Sequence, residues 1–174
     1  MLYAYLETYG CQMNSADSDS LSSLLTARGY EIVEKADSAD LVVVNTCSVR
    51  QNAEDKAKSR ISEFAARKKY HPGQIIWVIG CMAERLGDDL KKELKGIDRV
   101  IGAPEMEHLH EHIDSYLAEH LQTDLTDSRP KSGISAFLPV MRGCDNFCTY
   151  CIVPFVRGRE HSIDAATLIE QRRQ

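Results

Sequence analysis

Three closely spaced cysteines make up the most reactive stretch of the chain. Cys144, Cys148 and Cys151 form a C-x3-C-x2-C pattern inside "MRGCDNFCTYCIVPFVRGRE", residues 141–160. Iron–sulfur clusters are held by cysteine thiolates, and a cubane cluster usually takes four of them. Three thiolates therefore leave one iron of a 4Fe-4S cluster open to another ligand. The alternative is structural zinc with His161 as the fourth ligand, although zinc motifs favour paired cysteines on either side of a long spacer.

The other three cysteines stand alone, each just after an apolar run. Cys11 follows "LETYG", Cys47 follows "VVVNT" and Cys81 follows "WVIG". We predict that each lies past the carboxyl end of a β-strand and before a helix, whose amino terminus lowers the thiol pKa. Open α/β sheets bind ligands at that edge. A buried cysteine can also be simply a small apolar residue, but three of three strand ends favour a second metal site.

Polar residues near these thiols are candidates for orienting the loops that carry them. Asn14 and Asp17 follow Cys11, and Asn45 precedes Cys47. Asn14 has a simpler explanation as a helix cap, because asparagine side chains accept hydrogen bonds from the first turn of a helix.

The elements that must position these residues are predicted from alternating strand-like and helix-like stretches, which are typical of a parallel sheet covered by helices. We predict strands over residues 2–7, 31–33, 41–45, 75–79 and 99–101. The fold class is therefore α/β, with a five-stranded, mostly parallel, doubly wound sheet of the flavodoxin or Rossmann-like kind. In the order 2-1-3-4-5, strands 1, 3 and 4 are neighbours about 4.8 Å apart, which brings the three thiols together.

One connection and several helix ends carry specific expectations. Only "EKADSAD" separates strands 2 and 3, which is short for a parallel crossover. The first helix has Asn14 and Ser15 as candidate N-caps and Gly29 as its C-terminal cap. Further helices are predicted over residues 50–70 and 105–121, the latter with one apolar face comprising Met106, Leu109, Ile113, Tyr116 and Leu117.

The composition along the chain indicates domain boundaries and argues against a membrane or secreted protein. We predict a first domain over residues 1–121, a polar linker over 122–134 that contains Pro130 and Gly133, and a second unit over 135–174. No apolar run approaches the ~20 residues of a membrane span. The amino terminus lacks a basic region followed by an apolar one, so we expect a cytoplasmic protein. The net charge of −5 weakly disfavours nucleic acid, but the charge is unevenly distributed.

Four blocks of sequence resemble those of one enzyme family. "TYGCQMN", "VNTCSVR", "GCMAER" and "MRGCDNFCTYCIVPFVRGRE" are similar to the methylthiotransferases, which are radical S-adenosylmethionine (SAM) enzymes. The likeness is closest to the tRNA branch, the 2-methylthio-N6-dimethylallyladenosine synthases. The branch that modifies ribosomal protein tends to have proline and lysine after the first cysteine, where this chain has Gln12 and Met13.

The resemblance implies two 4Fe-4S clusters and SAM as cofactors. Cys144, Cys148 and Cys151 would hold the cluster that binds and cleaves SAM, with Tyr150 beside the adenine and Arg157 as a further cofactor-binding residue. Cys11, Cys47 and Cys81 would hold the auxiliary cluster that presents sulfur. The reaction would abstract the hydrogen from C2 of N6-isopentenyladenosine next to the tRNA anticodon and leave a methylthio group there. No catalytic side chain is assigned, and the electron and sulfur donors stay unidentified.

The resemblance also implies a partial (β/α) barrel around and beyond the cluster loop. Members of the family continue through such a barrel, of which "SAFLPVM" would be the first strand and the stretch from Ser162 the first helix. This chain would therefore be an incomplete, amino-terminal portion, monomeric and inactive alone. Two other branches, which act on threonylcarbamoyl-adenosine in tRNA or on ribosomal protein, are alternatives, as is a non-catalytic metal-binding module.

The remaining candidates have a structural and a functional interpretation each. His108 and His112 have metal-compatible helical spacing, but a solvated face explains them better. Two groups of basic residues can contact phosphate: those of the second long helix and the arginines that flank the cluster loop. For the helix, a solvent-exposed face is the favoured explanation. These basic residues are Arg50, Lys56, Lys58, Arg60, Arg67, Lys68 and Lys69 in the helix, and Arg142, Arg157 and Arg159 around the loop.

Overall fold

The computed structural model describes residues 1–120 and 137–173. Its main feature is a five-stranded sheet in which every pairing is parallel. The strand order β2-β1-β3-β4-β5 confirms the predicted order and fold class. The strands are β1 (Leu2–Thr8), β2 (Tyr30–Ile32), β3 (Leu41–Thr46), β4 (Ile75–Gly80) and β5 (Arg99–Gly102).

Helices cover both faces of this sheet because its central strands are apolar on both sides. In β3, Leu41 and Val43 join the core beneath one set of helices, whereas Val42 and Val44 join the core on the other face. Successive side chains of a strand point to opposite faces, so each face has its own core. Helices α1 (Gln12–Ala27) and α5 (Leu109–His120) cover the first face, and α2 (Gln51–Arg67), α3 (Cys81–Leu86) and α4 (Asp88–Glu93) cover the second.

The connection between β2 and β3 is a parallel crossover, although its length is short for one. β2 has only three residues and pairs with β1, so the chain passes β1 before it enters β3. The connection contains one 3-10 turn, Ala36–Ser38. Gln74 is buried and donates from Nε2 to the carbonyls of Ala36 (2.7 Å) and Ala39 (2.8 Å). These bonds tie the connection to the residue that precedes β4.

Two helix boundaries differ from the sequence prediction. Helix α1 begins at Gln12 with Cys11 as its N-cap, so the assignment of Asn14 or Ser15 as N-cap is wrong. Asn14 instead occupies the third helical position, and its Oδ1 accepts the Cys11 backbone N–H at 3.3 Å. The predicted helix over 105–121 begins with a 3-10 turn, Pro104–His108, before α5. Its predicted apolar face is confirmed, since Met106, Leu109, Ile113 and Leu117 are buried.

The segment from residue 137 onward has short elements. Strand β6 (Met141–Arg142) pairs antiparallel with β7 (His161–Ser162), and helices α6 (Val153–Arg157) and α7 (Ala165–Arg173) complete it. The predicted strand "SAFLPVM" is wrong in its described part: only Met141 is in a strand. The beginning of a barrel is not seen in the described residues, and the predicted linker over 122–134 lies outside them. Among the described residues, no helix has the length and apolar character needed to cross a membrane.

Candidate metal centre

The three lone cysteines lie at one edge of the sheet, as predicted. Cys47 follows β3 directly, Cys81 follows β4 directly and is the first residue of α3, and Cys11 caps α1 three residues after β1. These three strands are immediate neighbours, and their carboxyl ends are in register through the pairs Thr8 with Asn45 and Thr46 with Gly80. All six cysteines are free thiols. Cys47 and Cys81 are buried, whereas Cys11 is exposed.

A buried amide network fixes the loop that carries Cys11 to the end of β3. Asn14 Nδ2 donates to Asn45 Oδ1 at 2.8 Å and to the Thr46 carbonyl at 3.0 Å, and Asn14 Oδ1 accepts from the Cys11 thiol at 3.3 Å. Asn45 Nδ2 in turn donates to the Asn14 carbonyl at 2.9 Å and to Ser18 Oγ at 3.0 Å. Asn14 and Asn45 therefore orient these loops as predicted. Ser18, which the sequence analysis missed, lies one helical turn after Asn14 on the same face.

Gly80 allows β4 to approach β3 closely just before Cys81. Its φ of +97° is one that residues with side chains rarely adopt, and a Cβ built there would lie 2.5 Å from the Thr46 carbonyl oxygen. Only glycine combines this backbone conformation with this contact. The glycine therefore sets the position of the Cys81 thiol relative to Cys47.

The pKa of the Cys81 thiol contradicts one expectation. Burial raises this pKa above its ordinary value; the nearby Arg157 guanidinium lowers it, and the thiols of Cys47 and Cys11 raise it further. The net shift is upward, opposite to the lowering expected from the helix amino terminus, because desolvation outweighs the favourable charge of Arg157.

The described residues do not assemble a ligand set for a single metal ion. Within residues 1–120 and 137–173, no three His, Cys, Asp or Glu side chains are placed to hold one metal ion. The zinc alternative with His161 therefore has no assembled ligand set in the part of the chain described. In an iron–sulfur cluster each cysteine binds a different iron, so the ligand sulfurs need to share an environment without converging on one point. The three strand-end thiols lie at the ends of adjacent strands, where such a set could form.

The cysteine triplet lies on a loop between β6 and α6. Cys148 is exposed, and Cys144 and Cys151 are half-buried. The Cys151 N–H donates to the Cys148 carbonyl at 2.9 Å, and the Cys144 N–H donates to the Gly158 carbonyl at 3.2 Å. Tyr150 is 94% exposed. The loop thus presents its thiols and an aromatic ring at the surface.

The triplet segment docks onto the sheet edge through a buried ion-pair cluster. The Asp17 carboxylate, whose side chain is fully buried, accepts from Arg142 Nη1 at 2.8 Å and from Arg157 Nη1 at 3.2 Å. Beside it, Val156 of α6 packs in a small apolar cluster with Cys81 and Ala103. The sequence analysis placed Asp17 near the first site but did not connect it to the arginines, because a separation of more than a hundred residues leaves no local signal.

The other candidates are mainly structural. His108 is exposed, and His112 is half-buried with its Nε2 3.0 Å from Glu105. The middle and end of α2 form ion pairs with acidic side chains of the same chain, as expected of a solvated amphipathic helix. These pairs are Lys58 with Glu93, Arg60 with Glu7, Arg67 with Asp37 and Lys68 with Asp98. At its start, Arg50 and Lys56 line an open cavity of about 610 Å³ beside Gly10.

Comparison with known proteins decides the family. The model of a family described as "Uncharacterized protein family UPF0004" matches residues 3–102, more than half of the chain. This chain belongs to UPF0004. The matched part of the chain contains Cys11, Cys47 and Cys81 but not the triplet, so the family domain coincides with the sheet and its edge site.

The curated relatives extend the likeness beyond the UPF0004 domain. Three proteins named tRNA-2-methylthio-N(6)-dimethylallyladenosine synthase, from Amoebophilus asiaticus, Chloroherpeton thalassium and Bacteroides fragilis, are 41%, 42% and 42% identical. The alignments cover 96%, 98% and 96% of this chain but 37%, 40% and 39% of those proteins. The chain therefore spans about two fifths of their length. The resemblance to methylthiotransferases is confirmed.

Proposed function

We propose that this chain is the cluster-bearing portion of a tRNA methylthiotransferase, which adds a methylthio group to C2 of N6-isopentenyladenosine next to the anticodon. The observation that carries the proposal is the docking of the triplet segment, through Asp17, onto the sheet that carries Cys11, Cys47 and Cys81, in a chain similar over its length to tRNA-2-methylthio-N(6)-dimethylallyladenosine synthases. The sheet and the triplet segment supply three thiols each, which would leave one iron of a 4Fe-4S cluster open at either site.

The residues divide the work between two sites. Cys11, Cys47 and Cys81 would hold the auxiliary 4Fe-4S cluster, and Cys144, Cys148 and Cys151 would hold the cluster that binds SAM. When bound, these groups supply one-electron chemistry and sulfur for transfer. The chain's own contribution is placement: the amide network fixes Cys11, Gly80 fixes Cys81, and the Asp17 ion pairs hold the triplet segment beside them.

Surface features are consistent with a nucleic-acid substrate and a nucleoside cofactor. Tyr150, exposed beside Cys151, offers a ring face against which an adenine can stack. Arg50 and Lys56 line the cavity next to the Cys11 loop and can contact phosphate. We place the boundaries of the proposed units at 1–121 for the amino-terminal methylthiotransferase domain with the auxiliary cluster site, 122–134 for a linker and 135–174 for the beginning of the SAM-binding domain.

A chimeric enzyme tests this function. This chain replaces the matching amino-terminal segment of the Bacteroides fragilis relative, and the chimera is produced in cells that lack their own methylthiolation activity. Mass spectrometry of tRNA nucleosides should detect the 2-methylthio derivative of N6-isopentenyladenosine. The same chimera with Cys81→Ala serves as the matched control and should give none. A folded chimera that leaves tRNA unmodified, or that modifies threonylcarbamoyl-adenosine or ribosomal protein instead, would contradict the proposal.

A further inference from the structure

Arg157 occupies an unusual position for an arginine. Its side chain is 8% exposed, and one amino nitrogen, Nη1, donates to Asp17 Oδ2 at 3.2 Å. The other amino nitrogen, Nη2, is buried and has no hydrogen-bond partner among the described atoms. An unpaired donor of a buried charged group costs about 1–3 kcal/mol or more, so such an atom calls for an explanation.

The charges around Arg157 are unbalanced in the buried region. One buried carboxylate, that of Asp17, faces two guanidinium groups, those of Arg142 and Arg157. Glu107 reaches only Arg142, at 3.7 Å, and is 46% exposed. Buried charges are normally paired, because removal of an ion from water is expensive. The ion-pair cluster of Asp17, Arg142 and Arg157 therefore has one positive charge without a buried carboxylate partner.

The stretch that carries Arg157 contacts the three-thiol site, because the neighbouring Val156 packs in one apolar cluster with Cys81. Burial alone would lower the pKa of Arg157, but the thiol of Cys81, then Asp17, and then the thiol of Cys11 raise it above its ordinary value. The guanidinium therefore interacts with both the Asp17 carboxylate and the Cys81 thiol. An arginine that served only the surface loop would be expected to reach solvent, whereas the Arg157 side chain is buried.

We propose that Arg157 is a positioning residue of the three-thiol site: Asp17 holds its guanidinium beside Cys81, and Nη2 donates to the anionic, thiolate-held iron–sulfur group that binds there. This inference rests on the proposed function and assigns Arg157 to the auxiliary site, whereas the sequence analysis assigned it to SAM. Because Arg157 belongs to the triplet segment, it also couples cluster binding at Cys11, Cys47 and Cys81 to the docking of the triplet segment.

Iron retention in a chain that has only the three lone cysteines tests the inference. The parent protein is the full chain with Cys144→Ala, Cys148→Ala and Cys151→Ala, reconstituted anaerobically with iron and sulfide. To it we add Arg157→Met, Arg157→Lys or, as a matched control on an exposed arginine two residues away, Arg159→Met. The readouts are iron loss to a chelator and the midpoint potential of the cluster, and far-UV circular dichroism checks the fold.

We expect Arg157→Met to weaken iron retention by about 10–100-fold, the usual effect of removing a group that supports metal ligands, and to shift the midpoint potential to more negative values. Arg157→Lys keeps the charge and should restore most of both signals, and Arg159→Met should match the parent. The inference is wrong, while the proposed function stands, if Arg157→Met retains iron as well as the parent protein does. It is also wrong if Arg157→Lys loses as much iron as Arg157→Met. If the parent itself binds no iron, the proposed function fails and the inference with it.

Discussion

Asn14→Ala should destabilise the protein more than any effect of helix propensity can explain. The side chain is fully buried and makes four polar contacts, with the Cys11 N–H and thiol, Asn45 Oδ1 and the Thr46 carbonyl. Its removal leaves Asn45 Oδ1 buried without the donor it has now, at a cost of about 1–3 kcal/mol. The other lost bonds add about 1 kcal/mol in total, so we expect a loss of about 2–4 kcal/mol.

Urea denaturation measures this loss. With a dependence of about 2 kcal/mol per molar urea, the midpoint should fall by about 1–2 M. Asn52→Ala is the matched control, because Asn52 is exposed in the first turn of α2, and it should change stability by less than about 0.5 kcal/mol. If the two variants unfold at the same urea concentration, the amide network contributes nothing and the reasoning is refuted.

Two further predictions concern the sheet edge and its surroundings. Gly80→Ala should cost about 3 kcal/mol, because a Cβ would meet the Thr46 carbonyl in a backbone conformation that suits only glycine; an unchanged thermal midpoint would contradict this. Burial raises the pKa of Glu7, but hydrogen bonds from Tyr9 and Arg60 outweigh it and hold that pKa below its ordinary value of 4.5. Glu7 therefore contributes stability above about pH 4.5 that is lost as the pH falls further. Glu7→Gln should flatten the acid side of the stability profile, and a profile that keeps the wild-type slope would be evidence against this.

The sheet could be predicted from sequence because its signals are local and repeated. The apolar runs of β3 and β4, "LVVVNT" and "IIWVIG", are buried on both faces, which identifies central parallel strands. The placement of Cys11, Cys47 and Cys81 at adjacent strand ends is then a consequence of topology alone.

Other features could not be predicted, for three physical reasons. The pairing of Asp17 with Arg142 and Arg157 depends on how two segments dock, which no local pattern encodes. The pKa of Cys81 depends on how deeply the thiol is buried, and burial outweighs the lowering by Arg157. The strand over residues 135–141 is expected from the family resemblance and not from a local pattern, and only Met141 among its described residues pairs with another strand.

Quantitation of iron and acid-labile sulfide in two reciprocal variants tests the central claim most directly, that the chain has two separate three-cysteine sites. One variant has alanine at Cys11, Cys47 and Cys81, and the other has alanine at Cys144, Cys148 and Cys151. After anaerobic reconstitution, each should retain about four irons and four sulfides, the content of one cubane cluster, and the unsubstituted chain about twice as much. If the variant that keeps Cys11, Cys47 and Cys81 binds no iron, these thiols are packing residues at strand ends and the two-site account is wrong.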